Sequence, residues 1–375
     1  MTRASLYIAS IAGLAMALAL PAAAASPTCT GTSEHLMSWP DDDPVWEFCW
    51  LRPEDSSANS GSGLEIRDVH YRGTLVLKRG HVPILNVDYD PGGCGCFRDW
   101  LDSEHDYRTG NPVNPDFFEP PFPAETVCDH ATEPLTPPGD CPWGGNPAEC
   151  LEGVSAEYFA DHVMLSTQAQ AGWYRYDMRW TFWLDGTIEP TFGFGTYSDA
   201  CGNASHRHHA YWRLDFDIDD ADGDTVTQVG GSLPGLVAQE DDRTWEDGSV
   251  VWEVHDGTTG RGYRVTPGAQ DILLPVDTFS QIDLMISRYH SDELNDSGGG
   301  CEVNVNTIID GEQVENTDVV LWYRGGVHDQ VGVNIYECKR AGPTLTPLGD
   351  WGAEFTGYAD GFESGDTTAW STTVP

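Results

Sequence analysis

Short runs of alternating apolar and polar residues, broken by Gly, Pro and Asp, recur from Gly63 to Tyr323. Successive side chains of a strand face opposite ways, so a period of two marks a half-buried strand. The pattern predicts strands over Leu64–Tyr71, Thr74–Leu77, Val82–Val87, Trp173–Leu184 and Thr187–Gly195. It predicts others over His208–Ile218, Val250–Val254, Tyr263–Thr266, Leu284–Tyr289, Cys301–Ile309 and Asp318–Tyr323. Asp185-Gly186 is a hairpin signal between two of them. No stretch carries the longer period of an amphipathic helix. The expected fold is all-β, a large antiparallel β-sandwich.

The ends read differently. Arg3, an apolar run from Leu6 to Leu20, then Pro21 and small residues to Ser26 have the form of a secretory signal peptide, assigned to 1–25. Residues 26–60 are polar, the strand-rich domain occupies 61–342, and 343–375 form a polar tail. No later run is long enough for a stable membrane span. The ten cysteines of an exported chain are read as disulfides, with Cys94 and Cys96 going to separate partners. The expected location is secreted or periplasmic.

Charge narrows the partners. With 19 basic and 60 acidic residues the formal charge is −41. Such a surface excludes nucleic acid as a partner and attracts cations, amines among them.

The sharpest local chemistry is His206-Arg207-His208-His209. On a strand, His206 and His208 share a face, which makes them a half-site for copper or zinc, or a pair of solvated strand-end histidines. Asp215 and Asp217 follow with the same spacing, and Asp219, Asp220, Asp222 and Asp224 come behind them. Hard carboxylates at this density suit calcium, or make an acidic turn.

Four ordered stretches together resemble the copper amine oxidases. His206-x-His208-x4-Arg213-Leu214-Asp215 is similar to that family's copper-ligand strand. Upstream, Tyr174-x-Tyr176-x3-Trp180-x-Phe182-x2-Asp185-Gly186 resembles its cofactor strand. Downstream, Arg288-Tyr289-His290 and the stretch from Asp318 through Trp322 and Gly325 to His328 resemble its later segments. Gly63-Leu64 with Asp68-Val69 and Tyr71-Arg72-Gly73 is similar to the opening of its catalytic domain. The resemblance covers roughly 61–335 and implies that family's β-supersandwich, without the domains that usually precede it.

Carried over residue by residue, the resemblance implies copper held by His206, His208 and His328. A second metal, calcium by chemistry, would be held by Asp215, Asp217 and Asp318 with the carbonyls of Phe216 and Val319. Tyr174 aligns with the tyrosine that becomes topaquinone. Asp102 takes the place of the general base, Trp100 that of a gating aromatic, and Tyr89 is placed to hydrogen-bond the quinone. The implied activity is oxidative deamination of a primary amine by oxygen, giving aldehyde, ammonia and hydrogen peroxide; the implied assembly is a homodimer.

Departures keep other readings open. Trp173 and Arg175 stand where the family has Asn and an acid beside the cofactor tyrosine. Gly93-Cys94-Gly95-Cys96 precedes Asp102, whereas the family's similar segment follows its base. The second reading is a secreted copper-binding relative without quinone chemistry. The third is a binding module built on the 14 tryptophans.

Overall fold

The computed structural model describes residues 26–58, 62–89, 94–99, 106–107, 133–134, 150–151, 154–171, 174–196, 201, 204–246, 248–269, 271, 282–294, 303–329 and 339–352. The architecture is the antiparallel sandwich that the alternation predicts: among the described residues two large sheets, of nine and eleven strands, face each other. In the first, Glu65–Tyr71, Thr74–Tyr89, His206–Phe216, Val319–Asp329 and Leu284–Arg288 run side by side in that order. In the second, Thr344–Leu348, Ile188–Thr196, Tyr174–Trp183 and His162–Ala171 do so. Among the described residues, no helix is long and apolar enough to cross a membrane.

Aromatic side chains fill the space between the sheets. Phe48 stacks on Phe182 with ring centroids 4.3 Å apart, and Trp180 meets Trp212 edge-on at 5.0 Å. Trp46 Nε1 donates to Trp183 O at 2.7 Å, and Trp180 Nε1 donates to Leu64 O at 3.1 Å. A buried indole N–H needs such a partner, and here each bond also ties one sheet to the other. Gly80 is required by the same packing, since a Cβ there would lie 2.5 Å from the Trp180 ring.

One irregularity sets which residues reach the site. Thr74–Tyr89 pairs with His206–Phe216, and the register shifts between Tyr211 and Arg213. Tyr211 sits opposite Ile84 and Arg213 opposite His81, so Val82 and Pro83 together oppose Trp212. A bulge tolerates the missing N–H of a proline and moves the strand by one residue. That shift flips every side chain beyond it to the other face. Leu85, Val87 and Tyr89 therefore point into the sandwich on one side of the bulge, and Val82 does so on the other. Ile84 packs instead in a second cluster with Tyr211 and Trp322.

The pattern is corrected at several places. Thr74–Leu77 and Val82–Val87 are one strand, continuous through the bulge. Trp46–Leu51 and His35–Trp39 are strands of the nine-stranded sheet within the polar segment. In the expected strand Cys301–Ile309, residues 305–307 form a 3-10 turn, and residues 301–302 lie outside the described ones. The tail begins with a paired strand, Thr344–Leu348. Cys29 bonds Cys49 and Cys94 bonds Cys201. Cys96 is also disulfide-bonded, so the neighbouring pair does have separate partners. The signal-peptide segment lies outside the described residues.

Candidate functional site

His206 and His208 open their strand and are fully buried, with ring centroids 5.1 Å apart. Strand alternation turns both toward the eleven-stranded sheet, where Tyr174 opens the Tyr174–Trp183 strand. The Tyr174 ring lies 5.4 Å from His206 and edge-on to His208 at 4.6 Å. Tyr89, directly opposite His206 in the sheet, brings its hydroxyl to 2.5 Å from that of Tyr174. Phe194 lies against the His208 ring at 3.7 Å, which keeps this corner apolar.

Burial holds His208 well below the usual histidine range, and the charges of His206 and His209 add to that effect. A neutral imidazole is the form that binds metal. His206 Nδ1 lies 2.7 Å from the Ala204 carbonyl, which can only accept. Nδ1 therefore carries a proton, and in the neutral ring the lone pair falls on Nε2.

His328 is placed differently. It stands opposite Arg207, whose face is opposite to that of His206 and His208, and its Nε2 lies 3.0 Å from Ser205 Oγ. Among the described residues, the groups of three potential ligands within 4.8 Å of one another are acidic, and the three histidines do not form one. Two imidazoles thus suit Cu(II) in face, burial and protonation, while the third is not gathered with them. Asp102 and Trp100 lie outside the described residues, as does Trp173.

Asp99 is a carboxylate at this site that the motifs did not single out. The strand Cys96–Asp99 pairs with Thr74–Tyr89, Phe97 opposite Val87 and Asp99 opposite Leu85. Both partners face the sandwich, so Asp99 does too. Tyr176, two residues beyond Tyr174, donates its hydroxyl hydrogen to Asp99 Oδ2, and the Tyr176 hydroxyl oxygen lies 3.3 Å from His208 Nδ1. The sequence signal was the two-residue spacing of Phe97 and Asp99, visible only once this strand is recognised.

The acidic residues gather at the far end of the same strand pair. Asp215, Asp217 and Asp318 bring carboxylate oxygens within 4.8 Å of one another. Phe216 and Val319 stand directly opposite each other between them. Burial and then Asp215 push Asp217 up to about 7; burial and then Asp215 push Asp318 to about 8. Asp224 is raised to about 8 by burial, with Asp217 adding to it. One oxygen in each of Asp215, Asp217, Asp224 and Asp318 is buried without a hydrogen-bond partner. Buried acceptors left without donors fit a hard cation. Arg213 donates to Asp215 at 3.2 Å and to the Glu293 carbonyl at 3.1 Å, which holds this end in place. A separate cavity of about 780 Å³, lined by Tyr71, Trp183 and Trp351, lies at the opposite end of the Tyr174–Trp183 strand from Tyr174.

No protein-family profile matches the chain, and no curated protein does. Solved structures do. A copper-containing benzylamine oxidase from Hansenula polymorpha is similar over 85% of this chain, with a TM-score of 0.57 and 15% identity. An Aspergillus nidulans amine oxidase matches over 83%, at 0.55 and 17%, and a Pichia pastoris lysyl oxidase over 81%, at 0.53 and 14%. The chain spans 61%, 51% and 51% of those proteins' own lengths. The fold of this chain is the β-sandwich of the copper amine oxidases.

Proposed function

We propose that this chain is an exported copper protein that oxidises primary amines, taking an amine, oxygen and water to aldehyde, ammonia and hydrogen peroxide. The observation that carries the reading is Tyr174. It is a buried phenol, edge-on to one imidazole of a two-histidine half-site and 2.5 Å from a second phenol, on a fold shared with amine oxidases.

Copper would be held by His206, His208 and His328, the last after a turn of its side chain toward the other two. When bound, copper with oxygen would convert Tyr174 to topaquinone, the electron sink for the amine. The chain's own residues supply the rest. Tyr89 fixes the position of the Tyr174 oxygen. Phe194 keeps water from the imidazoles. Asp102 is the proton acceptor that the resemblance implies, next to Trp100 as a gate. The surface charge of −41 draws cationic amines toward the protein. Calcium would occupy the acidic site of Asp215, Asp217 and Asp318, with the Phe216 and Val319 carbonyls, and hold the two central strands together. A homodimer and export through residues 1–25 belong to the same reading.

The test is to load the purified protein with Cu(II) in air, add phenylhydrazine and map the coloured peptide. Label on Tyr174, absent from His208→Ala, is the expected result. Bound copper with unmodified Tyr174 overturns the quinone chemistry. It would favour a copper protein without it, the reading to which the placement of His328 opposite Arg207 lends weight.

A further inference from the structure

We infer that Asp99, acting through Tyr176, fixes His208 in the tautomer that turns a bare Nε2 toward the metal site. Asp99 is a positioning residue, two hydrogen bonds removed from any ion. The inference rests on the copper reading only for the identity of that ion.

The argument follows the hydrogens. A tyrosine hydroxyl has one hydrogen to give and can accept others. Tyr176 gives its hydrogen to Asp99 Oδ2, because an ionised carboxylate can only accept. The Tyr176 oxygen can then only accept from its other neighbour, His208 Nδ1 at 3.3 Å. Nδ1 must therefore carry the proton, which leaves the lone pair on Nε2. That atom is buried and has no hydrogen-bond partner among the described residues. Were Asp99 absent, the Tyr176 hydroxyl would be released to donate to Nδ1, and the proton would move to Nε2, where it blocks ligation. The outer neighbour of a ligating histidine commonly sets its tautomer, and its loss weakens metal affinity by about 10- to 100-fold.

His206 is the internal control. It reaches the same tautomer through the Ala204 carbonyl, at 2.7 Å. No side-chain substitution removes that acceptor, so the two histidines are set by independent means.

The experiment uses the metal-free full-length protein with ¹⁵N-labelled histidine. Long-range ¹H–¹⁵N correlation reads which ring nitrogen is protonated, with His206→Gln and His208→Gln used for assignment. The wild type is expected to show both histidines protonated on Nδ1. Asp99→Ala is expected to move the His208 proton to Nε2 with His206 unchanged, and to weaken Cu(II) binding by about 10- to 100-fold. Asp99→Asn, whose amide oxygen still accepts, is expected to restore the wild-type pattern. A wild-type His208 protonated on Nε2 overturns the inference, and that spectrum needs no variant to fold. An unchanged His208 in Asp99→Ala overturns it too. None of these spectra depends on whether Tyr174 takes up phenylhydrazine, so failure of the amine-oxidase reading remains a separate result.

Discussion

The strand His206–Phe216 serves two unlike regions. At its start, two buried imidazoles lie among the rings of Tyr174, Tyr89 and Phe194. At its end and just beyond, carboxylates crowd with Asp318 of the neighbouring strand segment, each with an oxygen that has no donor. Seven residues, about 23 Å of strand, separate His208 from Asp215. One end offers borderline nitrogen donors in an apolar setting; the other offers crowded hard oxygens. Strand register gathers the acidic set directly, because Phe216 and Val319 stand opposite each other and carry the aspartates beside them. It does not gather the histidines, because His328 falls opposite Arg207. An ion therefore has more assembling to do at the imidazole end.

The largest effect that separates the two ends is His208→Ala. Copper-dependent labelling of Tyr174 is expected to vanish, while calcium binding at the aspartates persists; loss of both in a folded protein would show that the ends act as one unit. Next comes Asp102→Asn, expected to lower amine turnover by about 10²- to 10⁴-fold with copper content and label unchanged. A parallel loss of copper would give Asp102 a part in building the site.

The acidic end carries a pH signature. Asp217, Asp224 and Asp318 hold their protons up to about 7, 8 and 8 in the folded chain, well above the ordinary value of 3.8. The folded state thus binds more protons than the unfolded one, and without calcium, stability falls as pH rises from about 4 toward 8. Calcium bound there would replace those protons, so its gain in Tm is expected to be larger at pH 8 than at pH 5. Equal gains at both pH values would place the ion elsewhere. The smallest effect is Tyr89→Phe, which removes the 2.5 Å partner of Tyr174. It is expected to cost about 0.5–1.5 kcal/mol in a denaturant titration and to slow labelling without abolishing it.

Strands with one face in the core, such as Val251–Asp256, were visible by their alternation. The stretch Trp46–Leu51 escaped because nearly all of it is buried, so nothing alternates. Val303, Asn304, Val305 and Asn306 alternate as a strand would, yet Val303 packs in the second cluster and the chain there turns instead of pairing. The H-x-H face was legible because alternation belongs to one strand. The placement of His328 was not, since register is a property of two strands. Asp99 was hidden for the same reason: its role depends on a hydroxyl contributed by the opposite sheet.

The bond between Cys94 and Cys201 has a consequence for maturation. It spans 107 residues and joins the start of the Asp99 strand to the segment that leads into His206. The two flanks of the histidine corner are thereby stitched by a covalent link that exists only under oxidising conditions. A newly made chain held in a reducing compartment keeps those flanks together by strand pairing alone. In the proposed reading, closure of this cysteine pair would follow export and precede metal capture.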